Sequence, residues 1–238
     1  MKTSIVITYL PVDESVERLT TECLKRVEEN TYYPFEIIRV NNNTFRFTHE
    51  TRNTWRHNLS DDFASVNNDD NFGNGRAWDQ GIEEALGDVV ILMDNDVWVE
   101  KDWDKEIVDR LSDLKVGIAF PYSIVGDELD RLNSGIDVEY KGRRDGFCFG
   151  FRKDTYKNAG PFLCDQPFKL GYYEDDWWEY RVQYQLGLKL VACPKSRVWH
   201  KGQGTTKRMW SQDVVDGIEK NKAWYEGKTG GVYPYIEK

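Results

Sequence analysis

Hydrophobic positions along this chain alternate between two rhythms. Residues 3–9 (TSIVITY) are consecutively β-branched or apolar, the signature of a strand buried on both faces, and Val16, Leu19, Cys23 and Val27 then recur at helical spacing. Pro34 restarts the chain into FEIIRV (35–40), a second buried strand that stops at the polar cluster Asn41, Asn42, Asn43, Thr44. Residues 45–62 read as irregular, FASV (63–66) as a short strand, and residues 73–87 as a helix ended by Gly87. VVILMDND (89–96) is the clearest strand, five apolar residues running straight into Asp94, Asn95 and Asp96. A helix at 101–112, strands at 116–120 and 147–151, an amphipathic run at 177–187 and a strand-like RVWH (197–200) follow.

Strands alternating with helices through residue 120 predict an α/β fold with a mostly parallel sheet, in which ligands bind beyond the carboxyl ends of the strands. The polar endings at Asn41–Thr44 and Asp94–Asp96 fall where that rule puts a site. There is no internal repeat, and the tail beyond Trp224 is expected to be loose.

Composition narrows the class. The 238 residues suffice for one sizeable domain, and 39% hydrophobic with 31% charged residues describes a globular chain. A net charge of -9 disfavours a broad grip on nucleic acid. Cys23, Cys148, Cys164 and Cys193 lie far apart without a CxxC pair, so reduced thiols are expected rather than a zinc ribbon. No signal-peptide pattern opens the sequence and no run reaches the ~20 apolar residues of a membrane span. The expected location is the cytoplasm, that of the host if the chain is viral.

Three polar constellations carry candidate chemistry. The Asp94-Asn95-Asp96 sequence is a DxD arrangement whose hard oxygens suit Mn²⁺ or Mg²⁺ holding a diphosphate; the competing reading is an Asp-rich turn before a helix. Glu174-Asp175-Asp176 precedes the amphipathic run and offers either a helix cap or the base that takes a hydroxyl proton. His200 is a third metal ligand or an ordinary hydrogen-bonded imidazole. Lys201, Lys207 and Arg208 follow it, as a solvated charge run or as cations for departing phosphates. Tyr172, Tyr173, Trp177 and Trp178 crowd the acids, and their flat faces suit either sugar rings or the core. FGNG (72–75) lacks the GxxxxGK[ST] pattern of a phosphate loop.

Taken in order, these segments resemble glycosyltransferase family 2 from residue 3 to about residue 205. SIVITY looks like the family's opening nucleotide-binding strand, and EIIRVNNNT like its EIIVVDNxS segment, with Asn41 where Asp is usual. NGRAWDQGIEEALGDVVILMDND resembles the helix, turn and DxD strand, with Asp79 where Asn is common. GFCFGFRKDTYKNAGPF and GYYEDDWWEYRVQYQLGLKLVACPKSRVWHKGQGT resemble the acceptor-side strand, the "ED" helix and the terminal His. The resemblance implies a single GT-A-type nucleotide-diphospho-sugar transferase domain over 1–238. Its donor half would be 1–96 and its acceptor and catalytic half 97–210, with a C-terminal helix and tail at 211–238.

The implied reaction is inverting transfer of a sugar from a nucleotide-sugar, a UDP-sugar foremost, to a hydroxyl of a glycan, protein or modified nucleic acid. Asp94, Asp96 and His200 would hold Mn²⁺ or Mg²⁺. Donor contacts are expected from Thr8, Tyr9, Asn41, Asn43, Arg76, Asp79, Asp94, Asn95, Lys207 and Arg208, acceptor contacts from Tyr173, Trp177 and Trp178. Asp175 would be the base, with Glu174 beside it. The alternatives are a nucleotidyltransferase of related fold and a non-catalytic sugar- or nucleotide-binding module.

Overall fold

The computed structural model describes residues 2–42, 63–126, 128, 130–131, 134–135, 138–202 and 211–237. The strands are β1 (Thr3–Tyr9), β2 (Phe35–Asn41), β3 (Phe63–Asn67), β4 (Val89–Asp94), β5 (Val97–Val99), β6 (Val116–Val125), β7 (Lys141–Gly142), β8 (Cys148–Arg152) and β9 (Lys189–His200). The helices are α1 (Glu14–Asn30), α2 (Asn74–Glu84), α3 (Trp103–Leu111), α4 (Lys153–Ala159), α5 (Glu174–Tyr180) and α6 (Gln212–Thr229). A π-helical turn, Arg181–Gln185, prolongs α5.

All nine strands form one sheet in the order β3-β2-β1-β4-β8-β6-β9-β5, with β7 paired to β6. The first four run parallel, as the βα alternation predicts. β8 then inserts antiparallel between β4 and β6, making the sheet mixed.

The continuous apolar runs of β1 and β4 follow from burial on both faces. Ile5, Ile7, Ile91 and Met93 join Cys23, Leu24 and Val27 of α1 and Trp103 and Ile107 of α3 in one core. Val6, Val90 and Leu92 point the other way, onto Trp78 and Ile82 of α2 and Trp178 of α5. Each such fully buried aliphatic side chain stabilises the fold by roughly 1.5–3 kcal/mol.

Several boundaries differ from the sequence expectation. The strand expected over 89–96 stops at Asp94, because the chain turns through Asn95-Asp96 to start β5. RVWH is only the end of a 12-residue strand. The helix expected to end at Gly87 stops at Glu84. The tail beyond Trp224 is pinned rather than loose. Gln183 exchanges two hydrogen bonds with the Tyr235 backbone, and Glu237 pairs through its N–H with the Leu190 carbonyl at 2.7 Å and through its carboxylate with Lys189.

Candidate active site

Register explains why the first constellation assembles. Thr8 lies opposite Asp94 in the parallel β1–β4 pair, so both end at the same rim. Val97 of β5 pairs with His200 of β9, and the Lys201 N–H donates to the Asp96 carbonyl, which sets the DxD turn against the histidine. His200 Nε2 lies 3.1 Å from Asp96 Oδ1 and 3.8 Å from Asp94 Oδ2. The ring stacks on Phe147 with centroids 4.1 Å apart, and Phe147 is placed by its carbonyl accepting from the Asp94 N–H.

One ligand atom from each of Asp94, Asp96 and His200 lies within 4.8 Å of the others. Two carboxylate oxygens and an imidazole nitrogen converging in this way fit Mn²⁺ or Mg²⁺. Burial lifts the Asp94 carboxyl to about 7; the His200 charge opposes that lift while Asp96 and Asp175 add to it. For His200, burial disfavours the cation, but the hydrogen bond and charge of Asp96 outweigh it and the imidazole is raised. A divalent cation would relieve the same crowding of negative charge.

The second constellation stands on the first turn of α5. None of its acids caps the helix: the N-cap is Tyr173, at φ 70°, with no side-chain capping bond. Glu174, Asp175 and Asp176 are the first three helical residues, where the helix dipole favours negative charge.

The three carboxyls differ sharply in environment. Glu174 is buried, with Oε2 unpartnered, and burial together with Asp175 holds its carboxyl well above the usual range. Asp176 is tied to Arg144 at 2.5 Å, and Arg144 also holds the fully buried Glu179 at 2.6 Å. Among the described residues Asp175 has no such ion pair; burial and the neighbouring Asp176 raise it to about 7. It rests directly over Gly146, where any Cβ would come within 2.2 Å of its Oδ2.

Both constellations line one cleft of about 680 Å³, within the usual range for small-molecule sites. Thr8, Tyr9, Asn95 and Tyr173 line it as well. Asn95 turns its amide inward to Thr20 at 2.7 Å, and Tyr9 gives its hydroxyl to Glu17. Asn41 donates to Asn67 at 2.6 Å beside the cleft and keeps its own Oδ1 unpartnered. Asn43, Lys207 and Arg208 lie outside the described residues.

Other expected contacts do not meet the cleft. Asp79 is buried and accepts from the Tyr156 hydroxyl and the Phe162 and Leu163 N–H groups, so its carboxylate braces a loop instead of facing donor. Arg76 faces a neighbouring groove and pairs with Glu83 at 3.9 Å. Trp178 is core: fully buried, stacked on Phe162 and donating its indole N–H to the Gly160 carbonyl. Trp177 stacks on Tyr180 and meets Trp224 edge-on, away from the cleft lining.

The structure adds residues that sequence reading passed over. Phe147 orients His200, Asp145 and Gly146 line the cleft floor, and Arg144 partners the acidic helix. The charged triplet Arg143-Arg144-Asp145 directly before a buried strand was the available signal. Cys23, Cys148 and Cys193 are buried free thiols, and Cys164 is partly exposed with Sγ 2.8 Å from Gln166 Oε1.

A parallel strand ending in DxD, a histidine brought beside it by the antiparallel β5–β9 pair, and a carboxylate-bearing helix across the same cleft define a glycosyltransferase of GT-A fold. Solved structures share that fold. A mannosyltransferase from Pyrobaculum calidifontis, in complex with GDP-Man and Mn²⁺, superposes with a TM-score of 0.68 at 19% identity, over 98% of this chain and 65% of that one. GalNAc-T7 with UDP, GalNAc and Mn²⁺ gives 0.65 at 18% identity, over 84% of this chain and 44% of that one. TarS 1-349 of S. aureus with UDP-GlcNAc gives 0.64 at 15% identity, over 91% and 64%.

The chain belongs to glycosyl transferase family 2, whose model matches residues 4–177. A glucosyl-dolichyl phosphate glucuronosyltransferase of Haloferax volcanii is 30% identical over 231 residues, 84% of this chain and 69% of the relative. Among the described residues no helix is long and apolar enough to cross a membrane.

Proposed function

We propose that this chain transfers a sugar, with inversion, from a nucleoside-diphosphate sugar to an acceptor hydroxyl, and that Asp175 is the base. The observation that carries the reading is the placement of the Asp94/Asp96/His200 donor set and the Asp175 carboxylate in one cleft. Asp94, Asp96 and His200 would hold Mn²⁺ or Mg²⁺, which when bound neutralises the diphosphate leaving group.

Thr8 and Tyr9 at the end of β1 would sit beside the nucleotide, and Asn41 near its base. Asp175, raised to about 7 and without an ion pair among the described residues, is matched to removing a hydroxyl proton at neutral pH. Glu174, buried with its carboxyl held well above the usual range, and Asp176, held by Arg144, are poorer rivals for that task. Attack from the Asp175 side displaces the leaving group from the opposite face of the anomeric carbon, which inverts it.

A UDP-sugar is the leading donor, and a glycan the leading acceptor ahead of protein or modified nucleic acid, since the relative's name describes a sugar added to a glycosylated carrier. The single sheet supports one domain over 1–238, and the four free thiols support a cytoplasmic setting. The test is a thermal-shift screen of UDP-, GDP-, CMP- and dTDP-sugars with and without Mn²⁺. A manganese-dependent rise with one nucleotide is expected; an equal rise in chelator would sink the metal reading.

A further inference from the structure

We propose that Asn221, on the C-terminal helix α6, is a positioning residue for the catalytic base, so that α6 completes the active site although it lies beyond the family-matching residues 4–177. The inference rests on the assignment of Asp175 as the base.

The segment entering α5 has an unfavourable backbone. Tyr172 and Tyr173 both stand at φ 70°, a region that non-glycine residues avoid, and they directly precede Glu174 and Asp175. Such a conformation persists only where the surroundings hold it. The holder is Asn221, which is fully buried. Its Nδ2 donates to the carbonyls of Phe168 at 2.8 Å, Gly171 at 3.0 Å and Tyr172 at 2.9 Å, while its Oδ1 accepts from the Phe168 N–H at 2.8 Å.

One carboxamide thus fixes both ends of the 168–172 segment. A second contact from α6 presses on the same place: Gly217, one turn earlier, lets the Phe168 ring approach so closely that a Cβ would lie 2.5 Å from it. Tyr225, one turn later, packs its ring 5.7 Å from that of Tyr173. Val214 and Ile218 of the same helix line the cleft itself. Gly217, Asn221 and Tyr225 form one buried face of α6 whose contacts fall on the segment that leads into Asp175.

The base is equally exposed to misplacement from below. Its carboxylate sits against Gly146 with no spare room, so a shift of the helix start moves Oδ2 relative to the acceptor hydroxyl. Displacements on the order of 1 Å can cost about 10²-fold in rate. The Asp94/Asp96/His200 set, at the end of β4, in the β4–β5 turn and at the end of β9, is built by strand register and does not depend on this segment.

The experiment is a double-mutant cycle between Asn221→Ala and Asp175→Asn, read by transfer kinetics and by thermal shift with Mn²⁺ alone and Mn²⁺ with UDP. Asn221→Ala is expected to lower kcat roughly ten- to a hundredfold, with donor KM and both thermal shifts unchanged. In the Asp175→Asn background it should add less than about twofold, because a misplaced base and a missing one are the same defect. An unchanged kcat, a parallel loss of donor binding, or full additivity overturns the proposal.

If Asp175→Asn itself turns over like the parent, the base assignment fails, an outcome separate from any behaviour of Asn221. Gly217→Ala, which pushes on Phe168 without touching Asn221, should reproduce the kcat-only loss. It decides the matter if Asn221→Ala does not fold.

Discussion

The two acidic clusters that share the cleft carry the same kind of charge and are handled in opposite ways. At the end of β4, Asp94 and Asp96 converge on the His200 imidazole, and the three groups form a set that a divalent cation would join. At the start of α5, Arg144 is built in and pairs with both Asp176 and Glu179, while among the described residues Asp175 has no ion pair. Asp94 and Asp175 are both raised to about 7, with burial the main cause in each. A similar proton affinity therefore does not reveal the role; the partner does.

The sharpest way to break this comparison is to neutralise one member of each cluster. Asp175→Asn should lower transfer by about 10²–10⁴-fold, the usual worth of a positioned base, while keeping the manganese-dependent thermal shift. A retained rate would show that the α5 cluster is structural. Asp96→Ala should lower turnover by a comparable or slightly smaller factor, on the order of 10²–10³-fold, and abolish the manganese-dependent shift with nucleotide. Calorimetric titration of Mn²⁺ into that variant checks it directly.

A smaller effect separates resident from external cation. Arg144→Met leaves the buried Glu179 without its partner, and should destabilise the protein by about 3–5 kcal/mol in urea titration. Metal cannot compensate there, so added Mn²⁺ should not restore the loss.

The smallest effects concern pH. Transfer should fall roughly tenfold per pH unit below about 7 as Asp175 takes up its proton, and Asp175→Asn should erase that limb of the profile. The stability effect has the opposite sign. A carboxyl whose folded pKa exceeds its unfolded value favours folding at low pH and loses that contribution as pH rises through about 7. In chelator at pH 8, Asp175→Asn should therefore melt above the parent, by about 2–4 °C per kcal/mol relieved, and the difference should vanish near pH 4.

Much of the donor side was legible because its signals are local. Val89–Met93 is apolar on both faces and ends in Asp94, so one short stretch declares strand, rim and ligand together. His200 was visible as a strand ending, although its meeting with Asp96 depends on β5, whose three residues are too few to announce themselves. Isolated polar and aromatic residues were harder to read. Asp79, expected to contact donor, and Trp178, expected to contact acceptor, have the residue types of a site, and only tertiary contacts show that one braces a loop and the other fills the core.

A C-terminal helix was expected within 211–238, and α6 stands there, but which of its faces is buried was not legible. Its buried face is Gly217, Asn221, Tyr225 and Thr229, small or polar residues at four-residue spacing, which leave no apolar stripe for a sequence reading to find. The pinned tail was missed for the same reason, since its main-chain bonds to Gln183 and Leu190 carry no compositional trace.

The uneven burial of the thiols has a practical corollary. With Cys23, Cys148 and Cys193 sealed inside, a maleimide dye added to the folded native protein should attach at Cys164, with no cysteine to engineer in or out. That position lies one residue from Leu163, which Asp79 holds, and two from Gln166. The unmodified sequence thereby carries a fluorescent reporter site beside the loop that backs the cleft, ready for stopped-flow observation of donor and acceptor arrival.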